Sequence, residues 1–192
     1  MKTRGFILLV IILLLSLRNS TLAQETGLYL TYSDFESSRT AFVKKGNLKY
    51  KLRVENLFNK SIVKVVIGDS TFKFLKDSIF GYQDDDKVNY RFYNKKIYRI
   101  LNPKEGILLY SITTIVNPKG NQTAINYYFS VTASSAIYPL TKLNLKRAFL
   151  NDSNFHELID VYFKTDSDLL TYDSFYNQFK INRIYQIKQF RK

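Results

Sequence analysis

Val88-Asn-Tyr-Arg-Phe-Tyr-Asn-Lys-Lys-Ile-Tyr-Arg-Ile100 alternates in period two on either side of Asn94-Lys95. Val88–Phe92 and Lys96–Ile100 read as two strands joined by a tight hairpin, because Asn at a two-residue turn tolerates the left-handed backbone that such a turn requires. Antiparallel pairing is then set locally, and the question is how far the same pattern extends.

It extends in both directions. Upstream, Lys49–Val54 alternates strictly, with Tyr50, Leu52 and Val54 on one face, and Ser61–Ile67 is rich in β-branched residues. Gly68-Asp69 leads into Thr71–Leu75, and Ile79–Tyr82 runs into the acidic turn Gln83–Asp86. Downstream, Asn102–Gly106 is a turn with Pro103 fixing φ, followed by a long strand from Ile107 to Val116. A turn at Asn117–Gly120 precedes a last strand, Ala124–Ala133. Strands at intervals of about 8–12 residues indicate an antiparallel meander. Near the start, Gly27–Leu30 is a short strand candidate and Thr31 with Asp34 forms a capping box for one helical turn.

After Pro139 the period changes to that of a helix. Thr141 caps Lys142–Leu150, and Asp152 or Ser153 caps a helix carrying Phe155, Leu158, Ile159, Tyr162 and Phe163. A third stripe, Phe175, Phe179, Ile184 and Ile187, predicts a helix from about Tyr172 to Gln189, acidic at its start and basic at its end. The second of these helices is expected to bury its apolar stripe on the sheet or the last helix.

The first 23 residues have a different logic. Met1–Gly5 is basic, Phe6–Leu17 is apolar except for Ser16, and Thr21-Leu22-Ala23 offers small residues before Gln24. The run is shorter than the roughly 20 residues a spanning helix needs, so residues 1–23 read as a cleaved signal peptide. Its removal takes Lys2, Arg4 and Arg18 and lowers the net charge from +13 to about +10. The chain has no cysteine, which excludes disulfide stapling and an N-terminal lipid on cysteine. The expected location is exported, periplasmic or secreted, and not a lipoprotein, with no transmembrane segment after the signal.

Several motifs compete for chemistry. His156 and Asp160 stand i, i+4 on one helix face, yet no second histidine completes a transition-metal set. Asp84-Asp85-Asp86 lacks the alternation of a calcium loop and reads as a hairpin tip. No Gly-x-Ser-x-Gly elbow is present, and no cofactor is implied. Basic residues are spread along the chain, which speaks against nucleic acid as a partner. The best binding lead is the aromatic and basic interleaving at Tyr90, Phe92, Tyr93 and Tyr98, a stacking surface for sugars or single-stranded nucleic acid. Alternation sends aromatic and basic residues to opposite faces, the pattern of a sheet with one buried face.

Lys76–Tyr82, Tyr90–Phe92, Tyr98–Leu101 and Ile107–Tyr110 are joined by a helical block of Pro139–Phe149, Phe155–Asp160, Leu170–Phe175 and Phe179–Arg183. On these residues the chain resembles a family of uncharacterised exported Bacteroidota proteins, over roughly residues 70–187. The resemblance implies a Gram-negative cell envelope and carries no reaction or ligand with it.

The expectation is therefore an α+β protein. Residues 24–139 form an antiparallel β-meander of about six or seven strands, and residues 140–192 form two to three helices packed on it. Its expected role is a non-catalytic binding or assembly module for a glycan or protein of the cell envelope. The alternative is a hydrolase acting on envelope polymers through scattered carboxylates.

Overall fold

The computed structural model describes residues 26–44, 46–54, 61–117 and 122–189. The signal-peptide reading of residues 1–23 lies outside the described residues, as does most of the turn expected at Asn117–Gly120. A curled antiparallel sheet of seven strands forms the frame. Its strands are β1 (Gly27–Tyr29), β5 (Gly81–Gln83), β6 (Asn89–Tyr93), β7 (Lys96–Ile100), β8 (Leu108–Asn117), β9 (Gln122–Ser130) and β10 (Tyr138–Pro139), paired in that order. From β5 to β10 it is the meander that the sequence announces. Between β1 and β5 the chain makes a separate three-stranded sheet, β2 (Tyr50–Val54), β3 (Ile62–Ile67) and β4 (Ser70–Leu75).

The turns form as their residues dictate. Asn94 and Lys95 both take positive φ, joining Tyr93 to its partner Lys96. Gly68, at φ +58°, turns β3 into β4. Gly81 matters for space and not for φ, since a Cβ there would stand 1.9 Å from the carbonyl oxygen of Tyr90. Only glycine lets β5 lie against β6 at this point, which admits β5 to the main sheet.

Three helices follow, as expected. They are preceded near the N-terminus by α1 (Tyr32–Glu36), closed by the reciprocal Thr31–Asp34 capping box. Thr141 caps α2 (Lys142–Ala148), whose first residue also donates its N–H to Asp166 Oδ1, and Asp152 caps α3 (Ser153–Tyr162). The last helix, α4 (Lys180–Gln189), is shorter than its apolar stripe suggests. Tyr172–Phe179 is instead a hairpin of β11 (Tyr172–Asp173) and β12 (Gln178–Phe179). Asp173 Oδ1 accepts the N–H groups of Phe175 and Tyr176, and Asn177 takes positive φ, so turn chemistry overrides the helical period here. Among the described residues no helix is long and apolar enough to cross a membrane.

The main sheet is covered on both sides, which corrects the expectation of one buried face. On one face Tyr29, Phe80, Tyr98, Ile100, Leu108 and Tyr110 pack with Phe35 of α1 and with Ala133 and Ile137. The opposite face is divided between two covers. Leu28 and Phe92 lie under Val63 and Val65 of the small sheet. Ile107, Leu109 and Phe129 lie under Phe155 and Ile159 of α3 and Ile181 and Ile184 of α4.

Candidate functional site

Cross-strand register builds one continuous row on the doubly covered face. Tyr82 pairs with Tyr90, Tyr90 with Arg99, and Arg99 with Ser111, so four side chains from β5, β6, β7 and β8 share one level and one face. The row runs across the strip between the small sheet and the helices. The rings of Tyr82 and Tyr90 are stacked, 4.6 Å apart and 9° from parallel, and Tyr82 stacks in turn on Phe92 at 5.6 Å. Tyr90 is thus the outer ring of a three-ring stack.

The ladder between β7 and β8 is short, with only Arg99↔Ser111 and Ile100↔Tyr110 in register. Beyond them Lys96–Tyr98 and Ile112–Thr114 run on without pairing to each other. A groove of about 660 Å³ opens at this split. Tyr82, Tyr90 and Arg99 line one side, Ser111, Thr113 and Thr114 the other, with Lys95, Lys96 and the largely buried Lys76 around them. Among the described residues no carboxylate lines it, although Asp84 acts on the Tyr90 hydroxyl at its edge. Lys95, Lys96 and Arg99 are exposed, and none has an ion-pair partner among the described residues. Burial raises the pKa of Tyr82, and burial followed by the Asp84 carboxylate raises that of Tyr90, so both hydroxyls stay protonated at neutral pH.

The four aromatic residues of the sequence lead separate here. Tyr90 lines the groove and is half-buried. Phe92 is 5 % exposed, sealed beneath the small sheet. Tyr98, also 5 % exposed, faces the other way, edge-on to Tyr110 and Tyr128. Tyr93 shares that face, half-buried, with its ring toward Arg91. Alternation along β6 and β7 puts the two pairs on opposite sides of the sheet. Tyr82, Ser111 and Lys76 complete the groove and were not singled out from sequence. The three-residue loop Asp85–Lys87, with Lys87 at positive φ, sets Asp84 against Val88 and so Tyr82 opposite Tyr90, a register that the acidic turn does not announce by itself.

The motifs read for metal or acid chemistry have structural partners. His156 Nε2 donates to the carbonyl oxygens of Lys146 and Phe149, both at 3.0 Å, and so closes the C-terminal end of α2. Asp160 pairs with Lys142 and Lys146, tying α3 to α2, and those ammonium groups lower its pKa. A smaller cleft of about 360 Å³ lies where β2 meets the β5–β6 turn, lined by Tyr50, Thr26, Asp84 and Asp85. There Asp84 Oδ1 accepts the Val88 N–H at 2.8 Å, and Asp85 Oδ1 accepts the Thr26 hydroxyl at 2.9 Å. Comparison with protein-family models, with curated proteins and with solved structures gives no match.

Proposed function

We propose that this is an exported, non-catalytic envelope protein whose β7–β8 groove binds an anionic glycan. The supporting observation is the row Tyr82–Tyr90–Arg99–Ser111, set beside Lys95 and Lys96 in a groove whose described lining residues are neutral or basic. A stacked tyrosine offers a flat apolar face to a sugar ring, hydroxyls at Ser111, Thr113 and Thr114 match sugar hydroxyls, and unpaired cations attract carboxylate, sulfate or phosphate substituents. The groove is open along the sheet, which suits a polymer better than a small enclosed ligand. Export and the envelope setting rest on the N-terminal sequence and on the family resemblance.

The test is retention on immobilised anionic polysaccharide, polygalacturonate or heparin, against neutral dextran at matched salt. Binding to the anionic polymers that is lost in Lys96→Glu/Arg99→Glu supports the reading. Equal retention on dextran, or none on either anionic polymer, overturns it.

The hydrolase alternative rests on the smaller cleft with Asp84 and Asp85. Both carboxylates there already accept hydrogen bonds that organise the turn, so proton transfer would have to break the local structure. Release of reducing ends from the same polysaccharides would favour it.

A further inference from the structure

We infer that the outer edge of β9 pairs antiparallel with the same edge of a second copy of this chain. From Gly106 to Thr141 the only charged residue is Lys119, in a protein where 23 % of residues are charged. Much of that stretch is core, but the far half of the β8–β9 hairpin is not. β7 leaves β8 after Ser111, and β10 pairs with β9 only at Tyr128 and Phe129. Beyond those points the hairpin is a two-stranded ribbon, and Ile115, Val116 and Ile125 are 69 %, 64 % and 54 % exposed. A lone two-stranded ribbon is marginal in water.

Open strand edges are normally protected by lysine, proline or a bulge. Gln122-Thr-Ala-Ile-Asn126 has no lysine or proline, and the one register irregularity lies on the β8 side, between Ile115 and Asn117. The inner edge of the ribbon, on β8, faces the glycan groove. The outer edge, on β9, faces no strand among the described residues.

Charge selects the occupant. Each copy carries a net charge of about +10 once residues 1–23 are removed, so two copies repel wherever cations meet. The β9 edge is uncharged, and it is self-complementary about a two-fold axis at Ala124. That register sets Gln122 against the partner's Asn126, amide to amide, and Thr123 against the partner's Ile125. Five residues of pairing make a small interface, so the association is concentration-dependent and not obligate.

The absence of cysteine makes the test clean. Ala124→Cys places a thiol at the axis, where facing Cα atoms of an antiparallel pair lie about 4.5–5.5 Å apart, within disulfide range. Thr114→Cys, which sits opposite Ala124 on β8, places its thiols about 14 Å apart, out of range. Under mild oxidation at about 100 μM, a concentration suited to a weak interface, the first variant is expected to give a covalent dimer and the second to remain a monomer. Wild-type protein should show a concentration-dependent dimer by sedimentation velocity, and Ile125→Lys should weaken it about tenfold or more, as expected for a charge placed at a neutral edge. A wild-type monomer across that range overturns the inference, independent of how any variant folds. Equal cross-linking of the two cysteine variants overturns it as well.

Discussion

Arg91 Nη1 donates to the hydroxyl of Tyr110 at 3.0 Å, two strands away across the sheet. The same nitrogen reaches Ser130 Oγ at 3.3 Å, and Nη2 reaches the Ser135 carbonyl at 2.8 Å. The guanidinium lies against the rings of Phe80 and Tyr93, each 5.4 Å from its centre. Arg91 is 5 % exposed, and no carboxylate neutralises it among the described residues. A planar cation held by oxygen acceptors and aromatic faces thus joins β6, β8, β9 and the loop after β9.

Arg91→Lys keeps the charge and loses the fork. An ammonium has no planar geometry with which to reach Tyr110, Ser130 and Ser135 together. Urea unfolding is expected to show a loss of about 1–3 kcal/mol, the usual cost of leaving buried polar groups unpaired. Stability within a few tenths of wild type would show that the three acceptors do not depend on Arg91.

Gly81→Ala tests the entry of β5 into the sheet. The new methyl would collide with the Tyr90 carbonyl at 1.9 Å, and backbone cannot move aside as a side chain can. The expected cost is about 3 kcal/mol or more, beyond ordinary overpacking. Because Tyr82 and Tyr90 are partners across the same junction, their stack should be lost together with the stability. Unfolding monitored by tyrosine fluorescence and circular dichroism reads both.

Tyr90→Ala and Tyr98→Ala should separate binding from folding. The first removes the outer ring of the groove stack and should weaken anionic-glycan binding about tenfold, equivalent to about 1.4 kcal/mol, with little change in stability. The second empties a buried site among Tyr93, Tyr110 and Tyr128 and should cost about 3–5 kcal/mol of stability. Affinity of wild type should also fall as salt rises from about 0.05 M to about 0.5 M, because exposed cations are screened.

Alkaline pH should unfold the protein through its tyrosines. Burial pushes Tyr50 up to about 12, and it raises Tyr82, Tyr90, Tyr98 and Tyr110 as well. A tyrosine raised above its unfolded value of 10 contributes stability that is whole below pH 10. That contribution declines as pH climbs through the folded value. Melting temperature should therefore be flat from about pH 8 to pH 10 and fall steadily above it. An unchanged melting temperature at about pH 11.5 would contradict the burial of these hydroxyls.

Much of this architecture is legible one segment at a time. Asn94-Lys95, Gly68-Asp69, Thr31 with Asp34, Thr141 and Asp152 each act on neighbours within four residues, and each does what its chemistry suggests. The stripe of α3 likewise announces its buried side, Phe155 and Ile159. The short reach of the last helix was hidden because Phe175 and Phe179 fit a helical period while Asp173 commits the same stretch to a turn.

The candidate site was only half legible. Tyr90 and its basic neighbours stand out in the sequence, but Tyr98 and Phe92 stand out equally, and their rings belong to the core. Alternation says that neighbours face opposite ways. It does not say which way is open.

Sequence alone determined the strands of the meander up to β9, the hairpin turns, the caps and the helices α2 and α3, because period, φ preference and capping are local properties. Tertiary structure alone decided that β2–β4 form their own sheet over Phe92, that Arg91 is buried among Tyr110, Ser130 and Ser135, and that β7 and β8 part beyond Ser111 to open a groove. Those outcomes depend on pairings across tens of residues, which register and packing select and no local pattern encodes.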